Sequence, residues 1–170
     1  WKNKTLHDYF SDTDRESGIA ALNLIIDNYN KGVKVTYQVY TPEEIEQNSS
    51  LGCVQLFYYP AETPNAKTAI VVPGNALTVT SEMAEGGSTA YELHNRGYAV
   101  FVLRYRTFLD LGNNAPLEDL ARAVQLVTSL GEELSIQTQD YALVGYSSGG
   151  QLVGVFANKE RGYGHYGAAR

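Results

Sequence analysis

One five-residue pattern, Gly145-Tyr146-Ser147-Ser148-Gly149, constrains the fold of this chain more than any other feature. The apolar run at residues 141–144 precedes it directly, and a helical pattern at 151–159 follows it. A serine between two glycines in this setting predicts a sharp strand-to-helix turn, because the glycines let strand and helix approach without a Cβ clash. Such a turn would expose the Ser147 oxygen at the carboxyl end of the strand, above the positive end of the helix.

Ser147 is therefore a candidate nucleophile, and the competing interpretation is a glycine-rich turn that binds an anion or has no role. A serine that attacks an acyl group needs backbone N–H donors aimed at the oxyanion that forms. The N–H of Ser148 is one candidate donor. A second should come from Pro73-Gly74-Asn75-Ala76, which follows the apolar run at 68–72, although an ordinary turn is the alternative for that segment.

Helical and strand patterns alternate along the rest of the chain. Helical spacing of apolar residues covers 14–30, 83–96 and 116–130, a two-residue alternation covers 33–39, and short apolar runs cover 54–59, 68–72, 98–103 and 141–145. After residue 60 the order is strand, helix, strand, helix, strand, helix, which predicts a parallel sheet with helices on both faces. Ligands of such sheets bind at the carboxyl ends of the strands, where both motifs lie.

The composition narrows the class of ligand. The chain has 170 residues, a net charge of −6 and 44% hydrophobic residues, as expected for a globular protein. An acidic balance without a Lys/Arg cluster argues against nucleic acid and anionic membranes, and no apolar run is long enough to span a membrane. No histidine pair has metal-ligand spacing, so we expect neither metal nor cofactor. A small neutral ligand is favoured. The single cysteine, Cys53, permits either a cytoplasmic or a bacterial secreted setting, so the compartment stays open, with the cytoplasm slightly favoured.

Together these motifs resemble the serine esterases and lipases of the α/β-hydrolase fold, in particular the bacterial carboxylesterases, acetyl esterases and acetylxylan- or feruloyl-esterase-like branch. The resemblance covers residues 54–169 and is carried also by Gly97-Tyr98-Ala99-Val100, Arg104-Tyr105-Arg106 and Pro116-Leu117-Glu118-Asp119. It implies a three-layer α/β sandwich with a mostly parallel sheet. It also implies a nucleophile at Ser147 and oxyanion-hole N–H groups from Asn75, Ala76 and Ser148. Asn75 and Ala76 replace two glycines of the family. Because the oxyanion hole is formed by backbone N–H groups, we expect it to be retained.

The same resemblance implies an acid and a histidine after the nucleophile. Glu160 and His165 have that order, but a helix rising 1.5 Å per residue would carry Glu160 roughly 20 Å from Ser147, whereas a general base must lie within about 3 Å of the nucleophile. His94 would lie on the order of 15 Å below the site. Around His7 we find no pattern, and Asp110 is expected to be an ordinary loop carboxylate.

We therefore expect residues 1–32 to form a lead-in and an amphipathic helix. Residues 33–170 would form the amino-terminal part, about five strands, of one hydrolase domain whose remainder lies beyond 170 or on a separate carboxyl-terminal chain. The predicted function is hydrolysis of a small-molecule ester, short-chain or carbohydrate-linked, through an acyl-enzyme on Ser147. An acylaminopeptidase or amidase on the same fold, a non-catalytic binding module if the chain ends at 170, and a homo-oligomer all stay open.

Overall fold

The computed structural model describes residues 15–74, 76–107 and 114–167. Its five strands are β1 (Thr36–Gln38), β2 (Gln55–Tyr59), β3 (Ala66–Val72), β4 (Ala99–Arg104) and β5 (Ile136–Gly145), in the sheet order β1-β2-β4-β3-β5. The pairs β4/β3 and β3/β5 are parallel, as the alternation of strands and helices predicts. The pairs β1/β2 and β2/β4 are antiparallel, so the sheet is mixed. The antiparallel direction of β2 follows from the short connection to β3: it has only residues 60–65, whereas a parallel crossover needs about a dozen residues or more.

The helices are α1 (Arg15–Asn30), α2 (Pro42–Gln47), α3 (Ser88–His94), α4 (Ala115–Ser129) and α5 (Ser148–Phe156). A 3₁₀ turn occupies Ser49–Cys53, and a π-helix at Glu82–Gly87 runs directly into α3. The continuous helix predicted for 83–96 is therefore a π-helix followed by a short α-helix. The helix predicted at 151–159 begins three residues earlier, at Ser148, and ends three residues earlier, at Phe156.

Strand residues alternate between the two faces of the sheet, which creates one hydrophobic cluster on each face. In β4, for example, Phe101 and Leu103 enter the larger cluster, whereas Val100 and Val102 enter the smaller one. The larger cluster includes the predicted stripe of α4, all of which is buried: Leu117, Leu120, Ala121, Val124 and Val127. The smaller cluster includes buried residues of α1 and α3. The α/β class is confirmed: helices cover both faces of one sheet.

No helix in the described part of the chain is both long and apolar enough to cross a lipid bilayer.

Candidate active site

Ser147 stands at the junction between β5 and α5. Its backbone has φ 48° and ψ −119°, a conformation that costs a non-glycine residue about 1–3 kcal/mol, and its side chain is exposed. The turn is closed by the N–H of Gly149, which donates to Tyr146 O at 2.7 Å, and is joined to β3 by the N–H of Tyr146, which donates to Val72 O at 3.1 Å. The structure thus presents the Ser147 side chain to solvent at the carboxyl ends of β3 and β5.

The turn at Ser147 is in direct backbone contact with Pro73 and Gly74, which begin the segment that we call the 73–77 loop. A Cβ placed on Gly74 would lie 2.5 Å from Tyr146 O and 2.8 Å from the Ser147 Cβ. A Cβ placed on Gly149 would overlap Val72 O and lie 2.5 Å from Pro73 O. Only glycine fits at either position, and this close approach places the Pro73–Gly74 backbone against the serine turn.

The candidate oxyanion donors lie on both sides of this contact. Ser148 is buried and is the first residue of α5, where the helix dipole is positive. Ala76 is exposed, with φ 55°, and Asn75 lies outside the described residues. Leu77 also has a left-handed backbone, φ 58°, and its half-buried side chain packs against the larger cluster. Two consecutive left-handed non-glycine residues cost roughly 1–2 kcal/mol each, so Ala76 and Leu77 keep a backbone conformation that glycine would adopt readily.

Two side chains that sequence reasoning missed hold the start of the 73–77 loop. The Tyr105 hydroxyl donates to Pro73 O at 2.7 Å, and the Glu85 carboxylate accepts the N–H of Gly74 at 2.6 Å. Burial raises the pKa of the Tyr105 phenol above its usual value, so the donor proton stays in place at neutral pH. Tyr105 lies in a motif that the resemblance already singled out, whereas no sequence signal marks Glu85.

The candidate general bases lie away from Ser147. Glu160 and His165 are exposed and follow the end of α5, a nine-residue helix that extends about 13 Å. The His165 ring packs edge-on against Tyr166 at 4.8 Å. His94 lies in the last turn of α3, with Nδ1 2.9 Å from Pro60 O.

His7 and Asp110 lie outside the described residues. Within residues 15–74, 76–107 and 114–167, no group of three or more His, Cys, Asp and Glu side chains is placed to hold a metal ion. The described site therefore consists of an exposed serine and the backbone N–H groups around it.

The strand order, the serine turn between β5 and α5 and the loop of close backbone contact after β3 define an α/β hydrolase. The BD-FAE family model matches residues 55–163, and the chain belongs to that family.

Several esterases and hydrolases are similar to this chain. An acetylxylan esterase of Xylanibacter ruminicola is 28% identical over 125 residues, which are 72% of this chain and 26% of that protein. The crystal structure of an acetyl ester-xyloside bifunctional hydrolase from Caldicellulosiruptor lactoaceticus is 25% identical, with a TM-score of 0.61 over 74% of this chain and 49% of that one. The α/β hydrolase MGS-M1 from a Medee basin deep-sea metagenome is 26% identical, with a TM-score of 0.57 over 62% of this chain and 46% of that one. The chain thus spans less than half the length of each of these proteins.

Proposed function

We propose that the protein is a serine carboxylesterase that removes short acyl groups, acetyl above all, from carbohydrate esters. The observation that carries this proposal is the exposed, strained Ser147 at the positive end of α5, in backbone contact with the 73–77 loop. The acetylxylan esterase and the acetyl ester-xyloside hydrolase among the relatives support an acetyl ester on a sugar. A net charge of −6 favours such a neutral substrate over an anionic one.

In the proposed reaction the Ser147 Oγ attacks the ester carbonyl and loses its proton to a general base. The negative charge that develops on the carbonyl oxygen is accepted by the N–H groups of Ser148, Ala76 and Asn75 and by the positive end of α5. As the tetrahedral intermediate collapses, the protonated base gives its proton to the leaving oxygen, the alcohol departs, and the acyl group stays on Ser147. Attack of water, activated by the same base, then releases the acid and regenerates the serine.

We further propose that the general base is a histidine, paired with an acid, in a part of the protein outside residues 1–170. Three findings support this proposal: the described candidates Glu160 and His165 lie beyond α5, His94 is bonded to Pro60, and the relatives are much longer than the region that they share with this chain. A separate chain that supplies the histidine is the alternative arrangement.

Steady-state kinetics on the full natural chain test the proposal. We expect 4-nitrophenyl acetate to be hydrolysed with a kcat/KM at least about tenfold above that of the octanoate ester, and acetate to be released from acetylated xylan. Ser147→Ala should lower kcat by a factor on the order of 10⁴ with the circular dichroism spectrum unchanged. Ser129→Ala, on the exposed end of α4, is the matched control and should retain full activity.

Two results would count against this function. Undiminished ester hydrolysis by Ser147→Ala would show that Ser147 is not the nucleophile. Faster cleavage of an acetyl-peptide anilide than of the acetate ester would favour the amidase alternative.

A further inference from the structure

The Pro73–Gly74 peptide group is held at both of its polar atoms. Its carbonyl oxygen accepts the Tyr105 hydroxyl at 2.7 Å, and its N–H donates to Glu85 Oε2 at 2.6 Å. Because a peptide group is planar and rigid, two bonds on its opposite edges fix its rotation about the chain. The bond to a carboxylate is charge-assisted, and such bonds are roughly twice as strong as those between neutral groups.

This peptide group is also the point at which the 73–77 loop meets the serine turn. Gly74 is buried, and its Cα lies so close to Tyr146 O and the Ser147 Cβ that no side chain fits between them. A rotation of the peptide group would therefore displace the following amides relative to Ser147. Oxyanion donors act only when they are held within about 0.5 Å of their working geometry. Since the Gly74 N–H is occupied by Glu85, the donors from this loop must be the amides after it.

Glu85 is itself positioned by the π-helix that carries it. Glu82, in the first turn of this helix, forms an ion pair of 2.9 Å with Arg104 at the end of β4. Gly86, the next residue after Glu85, packs so tightly that an added Cβ would overlap the Val102 side chain and lie 3.2 Å from Pro73 Cγ. π-helical turns are rare and occur frequently at functional sites. The wide turn brings the Glu85 carboxylate back to the loop eleven residues earlier in the chain.

We propose that Glu85 is a positioning residue that, together with Tyr105, sets the orientation of the 73–77 loop for oxyanion stabilisation at Ser147; this inference rests on the proposed function. Glu85 does not touch the substrate. It acts through the Gly74 N–H, and its loss should affect the transition state more than substrate binding.

Separate measurement of kcat and KM on the full natural chain with 4-nitrophenyl acetate tests this inference. Glu85→Ala should lower kcat by about 10–100-fold with KM within about threefold, because misplaced donors fail mainly in the transition state. Glu85→Gln should recover kcat to within about fivefold, since its amide oxygen still accepts the Gly74 N–H. Glu92→Gln, in α3 directly after the π-helix and paired with Arg96 on the surface, is the matched control and should stay within about twofold of the wild type.

Equal losses in Glu85→Ala and Glu85→Gln, an unchanged kcat in Glu85→Ala, or the same loss in Glu92→Gln would each overturn the proposal. If Glu85→Ala does not fold, Tyr105→Phe replaces it, because it removes the other bond of the same peptide group. We expect about a 5–50-fold loss of kcat from Tyr105→Phe, and an unchanged kcat would contradict the proposal.

Hydrogen exchange of the Gly74 amide, followed by NMR, separates this inference from the proposed function. We expect exchange at least about tenfold faster in Glu85→Ala than in the wild type, because the amide loses its acceptor. Faster exchange in a chain that hydrolyses no ester would show that the esterase proposal fails while the Glu85 contact exists. Unchanged exchange in an active enzyme would show that the Glu85 inference fails alone.

Discussion

At the scale of single residues, the site depends on where a Cβ atom can be tolerated. Ser147 carries a side chain in a backbone conformation that disfavours one, whereas Gly149, two residues later, has no room for a side chain at all. The strain at Ser147 persists because the surrounding backbone contacts leave the turn no relaxed alternative. This arrangement requires glycine at position 149, and the loss of stability on substitution measures that requirement.

Gly149→Ala should destabilise the protein by about 1–3 kcal/mol, because its Cβ overlaps Val72 O and the backbone must move. Gly154→Ala lies in the same helix, with nothing within 4 Å of the added Cβ. We expect it to stabilise the protein by about 0.5–1 kcal/mol, since alanine is the better helix former. Urea unfolding of both variants checks the opposite signs, and destabilisation of equal size in both would contradict the packing argument.

At the scale of elements, a buried ionic network joins the end of β4 to α4 and to the segment before α2. The fully buried Asp119 accepts bonds from the Arg106 side chain at 2.7 Å, from the Arg106 N–H at 2.8 Å and from the Tyr40 hydroxyl at 2.7 Å. Burial, and then the bond to Asp119, raise the pKa of Tyr40 far above its usual value, so this hydroxyl remains a donor. The network fixes the segment that follows β4, where Tyr105 reaches the 73–77 loop.

Asp119→Asn should lower the free energy of unfolding by about 3–5 kcal/mol, because it leaves the buried Arg106 without its main counter-charge. Glu92→Gln removes a counter-charge from Arg96, a pair whose side chains are 65% and 50% exposed, and should cost less than about 1 kcal/mol. Chemical denaturation measures both changes. Similar small costs for the two variants would mean that burial of the Asp119 network has no energetic consequence.

How far the sequence predicts this fold differs between elements for physical reasons. β3 and β4 are buried on both faces, so their continuous apolar runs mark them clearly. No apolar pattern indicates that β2 runs antiparallel to β4. The sequence indicates it only through the short connection at 60–65, which has too few residues for a parallel crossover. The turn at Ser147 is predictable from the sequence because it depends on adjacent residues. Glu85 could not be found, because its contact with Gly74 depends on the local geometry of a π-helix.

At the scale of the whole molecule, β5 lies at one edge of the sheet and is the least buried of its long strands. β3 and β4 are almost wholly inaccessible, whereas most residues of β5 are half-buried or exposed, and Val155 on the adjoining α5 is 43% exposed. An edge strand offers unpaired backbone groups to a further strand. This surface supports the proposal that more of the protein packs beside β5 and brings the general base to Ser147.

The buried tyrosines predict how the stability of the whole molecule depends on pH. Burial raises the pKa of Tyr58 to about 12, and burial also raises the pKa of Tyr59 above its usual value. In the unfolded chain tyrosines lose their proton near pH 10, so above about pH 10 the unfolded state sheds protons that the folded state keeps. The stability should therefore be complete below about pH 10 and fall as the pH rises towards 12. Urea midpoints between about pH 8 and 11 check this, and Tyr58→Phe should flatten the decline.

A constant midpoint across that interval would contradict the assignment of these tyrosines to the core. If Tyr58→Phe leaves the loss of stability at high pH unchanged, groups other than Tyr58 cause that loss.

The central claim is that Ser147 is the activated nucleophile of the complete protein, and covalent labelling tests it most directly. The full natural chain would be treated with a fluorophosphonate and the adduct located by mass spectrometry of its peptides. We predict one adduct per chain, on Ser147, and none on folded Ser147→Ala. An adduct on a different serine, or no adduct on a folded chain that hydrolyses esters, would contradict the account.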